Sequence, residues 1–140
     1  MLVEEVAATD VVRVSAERSL HDAVTAMHRN ETPYCVVEAD GIPSGVVTEH
    51  DALDACRRSG RSLEEIPLTP FATGFEVVVT PRKTIYYAVG LMVSHELEVL
   101  PVKAGMEIVG VITQEHVMDN LAELTRKTVS NLGEGRRWHK

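Results

Sequence analysis

The sequence is poor in cysteine and has no long apolar run. Its 140 residues include two cysteines, Cys35 and Cys56, which are too few for a disulfide framework and are expected to be reduced in the cytosol. No run of eighteen apolar residues is present, so no membrane-spanning helix is predicted. The first ten residues carry acids where a signal peptide needs a basic start and an apolar run. These absences predict a cytoplasmic protein that does not enter the membrane.

Basic residues are also in the minority. Lys and Arg number 14 against 21 Asp and Glu, which gives a formal net charge of −7. Proteins that bind nucleic acid usually have the opposite balance, because they neutralise phosphates. Nucleic acid is therefore not an expected partner. The basic cluster at 136–140 follows a Gly-Glu-Gly break and is interpreted as a frayed tail.

Catalytic and metal-binding motifs are missing from the sequence. There is no CxxC, no HExxH and no glycine-rich phosphate loop, so neither a metal site nor an enzyme is predicted. No Ser, His and Asp order suggests a catalytic triad. The six histidines are scattered over helix faces and the tail: His21, His28, His50, His95, His116 and His139.

An internal repeat is the strongest feature that the sequence does have. When the chain is shifted by 65 residues, residues 2–61 face residues 67–126 without a gap, and fourteen of these sixty positions are identical. Ordinary residue usage gives roughly four identities by chance. The repeat predicts two units of about 60 residues, a size too small to bury a secure core alone. We therefore expect the units to pack together, with two equivalent clefts at the ends of their seam, and such clefts suit small ligands.

Both repeats show the same order of predicted elements, β–α–β–β–α. The first helix places Leu20, Ala23, Val24 and Met27 at i, i+3, i+4 and i+7, the spacing of a buried helical stripe. Ser19 and Thr84 are predicted N-caps, and Asp40-Gly41 predicts a hairpin turn, with a weaker one at Ala104-Gly105. In the first repeat the elements are predicted at 11–14, 20–29, 34–38, 45–48 and 49–59. In the second they are predicted at 76–79, 85–93, 99–103, 110–113 and 114–131. The resulting division is 1–61, a connecting segment 62–74, 75–131 and a basic tail 132–140.

The most specific motif ends the last strand of each repeat and has the form Gly-h-h-Thr-x-x-Asp, where h is apolar. Residues 45–51 match it fully, whereas in residues 110–116 His116 replaces the aspartate. The middle strand of the second repeat adds Pro101-Val102. Together with the order and the duplication, these motifs make residues 2–126 resemble a tandem pair of CBS domains, the family named after cystathionine β-synthase. The resemblance implies an α/β (α+β) fold in which the two repeats pack with pseudo-twofold symmetry.

The resemblance also implies a function and a set of site residues. Tandem CBS domains bind adenosine-type ligands, so an adenine nucleotide (AMP, ADP or ATP) or S-adenosylmethionine is the expected ligand, with no required cofactor. Because the repeats occupy nearly the whole chain, the signal would pass to a separate effector protein. The nucleotide-binding residues implied for the first cleft are Thr48, His50, Asp51, Asp10, Val11, Val12 and Cys35. Those implied for a weaker second cleft are Thr113, His116, Glu76, Val77, Leu100 and Pro101.

The local chemistry of Thr48 and Asp51 allows two interpretations. Thr48 can cap the helix or donate to a phosphate, and the Asp51 carboxylate can accept both hydroxyls of a ribose. Alternatively, the pair is an ordinary helix cap. His116 cannot accept two hydroxyls as a carboxylate does, so the second cleft is expected to bind weakly or not at all. Few basic residues are candidates for phosphate contacts, and this small number disfavours a triphosphate. The candidates are Arg13, Arg18, Arg82 and Lys83.

The helix predicted at 85–93 is apolar on almost every side. Such a helix is normally buried on every side, and one chain cannot supply all of that cover. A homodimer with this helix in its interface is therefore predicted. A dimeric scaffold that binds no ligand is the alternative function.

Overall fold

The computed structural model describes residues 1–120, 123, 125 and 126. The basic tail at 132–140 and the end of the closing helix predicted to reach residue 131 lie outside them. The helices are α1 (Val3–Val6), α2 (Leu20–Arg29), α3 (Glu49–Ser59), α4 (Ile85–Ser94) and α5 (Gln114–Asp119). The strands are β1 (Arg13–Ser15), β2 (Tyr34–Ala39), β3 (Ile42–Thr48), β4 (Val99–Ala104) and β5 (Glu107–Thr113). The predicted α/β (α+β) class is confirmed, and within the described ranges no helix has the length and apolar character needed to span a membrane.

Each repeat contains a small sheet. In the first repeat β1 is parallel to β2, and β2 is antiparallel to β3. In the second, β4 and β5 form an antiparallel pair, and the strand predicted at 76–79 is wrong, because only Val79 bridges to Val102 there. Pro81 explains the difference. It is equivalent to Ala16, whose N–H donates to the Glu38 carbonyl at 2.8 Å, whereas proline has no N–H with which to continue the ladder.

The predicted helix starts and the first predicted turn are confirmed. The Ser19 hydroxyl accepts from the Asp22 N–H at 3.3 Å, and the Thr84 hydroxyl accepts from the Tyr87 N–H at 3.2 Å. Asp40 and Gly41 both have positive φ, 53° and 78°, as the two-residue hairpin turn requires. The turn between β4 and β5 lies one residue later than predicted, because both Val99–Ala104 and Glu107–Thr113 are strand.

The two repeats exchange their leading segments, residues 1–8 and 66–73. In the first repeat, the Leu20 N–H donates to the Ile66 carbonyl at 2.9 Å, and Thr73 and Val46 exchange two backbone hydrogen bonds of 2.8 Å. The first leading segment makes the equivalent contacts with the second repeat, where Ala8 and Val111 exchange bonds of 2.9 and 3.0 Å. The matching contacts give the molecule its pseudo-twofold symmetry.

Three apolar clusters follow from this exchange. The core of the first repeat packs around Ile66 and Leu68 from the second leading segment. The core of the second repeat includes Val3 and Val6 from the first leading segment. A third cluster lies where the two sheets face each other and consists of Tyr34, Val36, Val46, Val99, Ile108 and Val111. Neither repeat therefore completes its core with its own leading residues.

Gly45 and Gly110 lie beneath the crossing segments. A Cβ on Gly45 would lie 2.8 Å from the Thr73 carbonyl oxygen, and one on Gly110 would lie 2.9 Å from that of Ala8. Distances this short force the backbone to shift. The first residue of the Gly-h-h-Thr-x-x-Asp motif is thus required by the close approach of the other repeat's leading segment.

Replacement of Gly45 by alanine is therefore expected to lower the free energy of unfolding by about 1–3 kcal/mol, the usual cost of overpacking. The measurement is urea unfolding followed by circular dichroism. Gly90→Ala is the control, because nothing lies within 4 Å of the added Cβ and a helical glycine-to-alanine change stabilises by about 0.5–1 kcal/mol. A Gly45→Ala protein as stable as the wild type would contradict this account of the glycine.

Candidate functional site

A cavity of about 430 Å³ lies between the two repeats. The end of β3 and the start of α3 form one wall. The second repeat supplies the other, from the end of its leading segment, the loop between α4 and β4, and β4 itself. The lining residues are Val46, Thr48, His50, Asp51, Thr73, Gly74, Glu76, Val77, His95, Glu96, Leu97, Glu98, Val99 and Pro101. The lining thus combines apolar side chains, namely three valines, a leucine and a proline, with polar and charged ones.

Thr48 and Asp51 form a capping box at the start of α3. The Thr48 N–H donates to Asp51 Oδ2 at 2.9 Å, and the Asp51 N–H donates to Thr48 Oγ1 at 3.1 Å. Both residues are half-buried and line the cavity. Asp51 Oδ1 accepts no hydrogen bond from the described residues, so the carboxylate keeps acceptor capacity for a ligand. The pair therefore caps the helix and also faces the cavity.

The predicted site residues are grouped differently from the expected clefts. Thr48, His50 and Asp51 line one cavity together with Val77 and Pro101, which were expected in the second cleft. Four other residues expected beside Thr48 do not line this cavity: Asp10, Val11, Val12 and Cys35. Leu100, expected in the second cleft, is fully buried in the core of the second repeat.

The exchange of leading segments is the physical reason for this regrouping. Thr73 is hydrogen-bonded to Val46 on β3, so the chain passes beside the end of β3 before Val77 packs against the core of its own repeat. By the 65-residue equivalence, Val11 and Val12 correspond to Glu76 and Val77, which line the cavity beside the first motif. The cavity is therefore built from the motif of the first repeat and the first strand region of the second.

Cys35 lies in the core of the first repeat and not at the cavity surface. It is fully buried, and burial raises the pKa of its thiol to about 12. A thiol that stays protonated is a poor nucleophile. Its place among apolar side chains makes Cys35 a small core residue.

The second motif has the same capping geometry with an imidazole in place of the carboxylate. The Thr113 N–H donates to His116 Nδ1 at 3.1 Å, and the His116 N–H donates to Thr113 Oγ1 at 3.1 Å. Because Nδ1 is the acceptor in this bond, the proton of the neutral ring is on Nε2. His116 therefore offers a donor, where Asp51 offers an acceptor, and it cannot accept a ribose hydroxyl without losing its cap.

Tyr34 is a further difference between the two ends of the seam. It is equivalent to Val99, which lines the cavity, and it is buried in the third apolar cluster. The pKa of the Tyr34 phenol is raised, mainly by burial. A hydrogen bond with Thr32 lowers this pKa, and the charge of Asp10 raises it further. At the other end of the seam, the position equivalent to Val99 is therefore occupied by the phenol ring of Tyr34.

The charge lining the cavity is acidic. It has four carboxylate residues, Asp51, Glu76, Glu96 and Glu98, and no lysine or arginine is among the lining residues that the structure describes. Sequence reasoning missed the loop residues His95, Glu96 and Glu98. One signal was available: Glu31 and Glu96 are identical across the repeats, and both have positive φ, 50° and 52°, which marks a specific loop shape.

Metal ligands do not gather anywhere in the described part of the chain. No group of three or more His, Cys, Asp or Glu side chains there is arranged to hold a metal ion. His50 and His95 both line the cavity, as separate polar groups.

Comparison with protein families gives two matches to one family model. The model of the CBS domain matches residues 3–58 and 63–123. A comparison with curated proteins gave no significant match. The two matched ranges together span most of the chain, and each overlaps one of the two repeats.

Several solved structures have a similar fold. A CBS domain protein from Pyrobaculum aerophilum, complexed with AMP, has a TM-score of 0.78 and 22% identity, over 90% of this chain and 99% of that one. A putative signal-transduction protein with CBS domains from Burkholderia ambifaria has a TM-score of 0.81 and 20% identity, covering 88% and 95%. A hexameric CBS-CP12 protein from bloom-forming cyanobacteria has a TM-score of 0.78 and 19% identity, covering 96% and 83%. At these identities the likeness establishes the fold.

Proposed function

Because this chain belongs to the CBS-domain family, we propose that it is a regulatory module that binds an adenosine-type ligand between its repeats and signals to a separate effector protein. The observation that carries this proposal is the position of Thr48 and Asp51 at a cavity of about 430 Å³ between the repeats. Cavities of roughly 300–1,000 Å³ with an apolar lining and a few polar groups are typical small-molecule sites.

The cavity offers separate surfaces for the parts of an adenosine. Val46, Val77, Val99 and Pro101 provide an apolar surface for the base. The Asp51 carboxylate has acceptor capacity for the two ribose hydroxyls. The similar Pyrobaculum protein is complexed with AMP, which supports a ligand of this class.

A ligand in this cavity would contact both repeats at once. Its affinity would then depend on how the repeats are placed relative to each other, and a ligand shifts a conformational equilibrium by its differential affinity for the two states. This gives the module a route from ligand concentration to a change at its surface. We propose that the effector recognises that change.

Thermal unfolding with adenosine tests the binding proposal. At 100 times its dissociation constant, a ligand of the folded state adds about 2.7 kcal/mol to the free energy of unfolding. We expect adenosine to raise the melting temperature, and guanosine, as a control of equal size, to raise it less. If no adenosine-type compound changes the melting temperature at millimolar concentration, the binding proposal is wrong.

The apolar surface of α4 favours a second function, that of a dimeric scaffold. Ile85, Ala88 and Met92 pack inside the chain, whereas Tyr86 and Val93 are 60% and 74% exposed. Apolar side chains exposed on one helix commonly mark a protein interface. We propose that the chain forms a homodimer through this surface, whether or not the cavity is occupied.

Replacement of Val93 by aspartate is expected to split the dimer, because it buries a charge without a partner at the interface. Val93 is suited to this test because its side chain is exposed, whereas Leu91 on the same helix packs against the core of its own repeat. The measurement is light scattering across a range of micromolar concentrations. Met106→Asp is the control, since it adds the same charge to an 81% exposed side chain in the turn between β4 and β5. A wild-type protein that is monomeric throughout would contradict the proposed dimer.

A further inference from the structure

The acidic lining of the cavity discriminates between adenosine-type ligands. We propose that the site selects an adenosine that carries positive charge, such as a sulfonium or ammonium nucleoside, over an adenosine that carries phosphate. This inference rests on the proposed function, because it concerns the ligand of the same cavity. It follows from three observations: the carboxylates, the positions of the cations and the state of the helix N-terminus.

The carboxylates around the cavity are not neutralised. Asp51, Glu76, Glu96 and Glu98 line it. None of the four is within 4.0 Å of a cationic side chain of the described residues, although surface ion pairs such as Arg57–Asp54 at 2.8 Å occur elsewhere. A phosphate would add two more negative charges to this group, whereas a cation would find several counter-charges.

The cations that sequence analysis considered for phosphate contacts are not at the cavity. Arg13 is bonded to Glu38 at 3.0 Å and to the Ile108 carbonyl at 3.1 Å. Arg82 lies 4.0 Å from Glu4, and the Lys83 ammonium lies 4.9 Å from the centre of the Tyr87 ring. Arg18 is also absent from the cavity lining. A phosphate in the cavity would therefore lack an arginine or lysine partner, and among the described lining residues its basic side chains would be limited to His50 and His95.

The N-terminus of α3 is also engaged internally. Backbone N–H groups at such a position are the usual substitute for basic side chains in phosphate binding. Here the Thr48 N–H donates to Asp51, the Glu49 N–H donates to the Pro33 carbonyl at 2.9 Å, and the Asp51 N–H donates to Thr48. Three N–H groups at the start of α3 are thus occupied, and the Asp51 carboxylate already lies there.

Calorimetry with matched ligands tests this selection. S-adenosylmethionine and S-adenosylhomocysteine differ by one methyl group and the positive charge on sulfur, and AMP adds a phosphate to adenosine. We expect S-adenosylmethionine to bind about tenfold or more tightly than S-adenosylhomocysteine, and adenosine to bind more tightly than AMP. The expected tenfold difference combines several exposed carboxylates, each of which strengthens binding of a cation by about twofold to fivefold. This order of affinities should be the same in buffer with EDTA and in buffer with Mg²⁺. The differences in affinity should become smaller at high salt, because salt screens the charges.

A variant that lacks three of the cavity carboxylates tests whether they cause the selection. In Glu76→Gln/Glu96→Gln/Glu98→Gln, the preference for S-adenosylmethionine over S-adenosylhomocysteine, which lacks the sulfonium charge, should fall by about tenfold. The control is Glu17→Gln/Glu64→Gln/Glu107→Gln, which makes the same change of net charge at exposed positions outside the cavity. This control should keep the preference.

The outcomes separate the inference from the function on which it rests. If AMP binds more tightly than adenosine and S-adenosylmethionine, and Asp51→Ala abolishes that binding, the cavity is an adenosine site and the charge selection is wrong. If the preference is the same in both triple variants, the carboxylates do not cause it and the inference is also wrong. If none of the four ligands binds, both the inference and the proposed function are wrong.

Discussion

Replacement of Asp51 by alanine is expected to weaken binding of an adenosine-type ligand about tenfold to hundredfold. The loss of one hydrogen bond to a charged acceptor costs about 1.5–3 kcal/mol, and the ribose would lose its only carboxylate acceptor on α3. Asp51→Asn should have an intermediate effect, because the amide keeps the shape and one acceptor oxygen but loses the charge. Calorimetric titration with adenosine measures both changes.

A matched variant separates binding from helix capping. Asp22 occupies the same position in the capping box of α2, where Asp22 Oδ2 accepts from the Ser19 N–H at 3.4 Å, and it does not line the cavity. Asp22→Ala should therefore lower stability by about 0.5–2 kcal/mol, as loss of a cap does, and leave affinity unchanged. If Asp51→Ala and Asp22→Ala bind adenosine equally well, Asp51 has no part in the site.

Replacement of Leu68 by alanine is expected to lower the free energy of unfolding by about 2–5 kcal/mol, the usual range for a buried leucine. Leu68 is fully buried, and its N–H donates to the Arg18 carbonyl at 3.3 Å. It lies within the sequence that leads into the second repeat but packs in the core of the first. Urea unfolding measures the loss.

Hydrogen exchange then locates the damage. In Leu68→Ala, amides of α2 and β2 should lose protection earlier than those of α4 and β4, because the cavity left by the side chain lies in the first core. Leu53→Ala is the control, since Leu53 is a leucine that is 71% exposed. Loss of protection first in α4 and β4 would contradict the exchange of leading segments.

The sequence was sufficient to predict most elements and their order. The stripe of Leu20, Ala23 and Met27 and the Ser19 cap depend on residues within about two helical turns of each other, and the structure agrees with both. Helix α3, predicted at 49–59, has those bounds in the structure. Local rules were adequate here because the interactions themselves are local.

The composition of the cavity could not be predicted from the same rules. Thr48 and Asp51 were identified from a motif, but their neighbours Val77 and Pro101 were assigned to the other cleft. The pairing of Thr73 with Val46 decides this grouping, and it joins residues 27 positions apart that no periodicity connects. The role of Gly45 escaped notice for the same reason, since the atom that its Cβ would meet belongs to Thr73.

The exchange of leading segments imposes an order on biosynthesis. A ribosome delivers residues 1–8 before the second repeat, yet Ala8 pairs with Val111 and Val3 is buried among residues of the second repeat. At about 5–20 residues per second, this stretch emerges about 5–20 s before its partner strand. The first repeat, in contrast, has its whole core available once residue 73 has emerged. Residues 1–8 therefore emerge well before the strand with which they pair, whereas the first repeat has all the residues of its core much sooner.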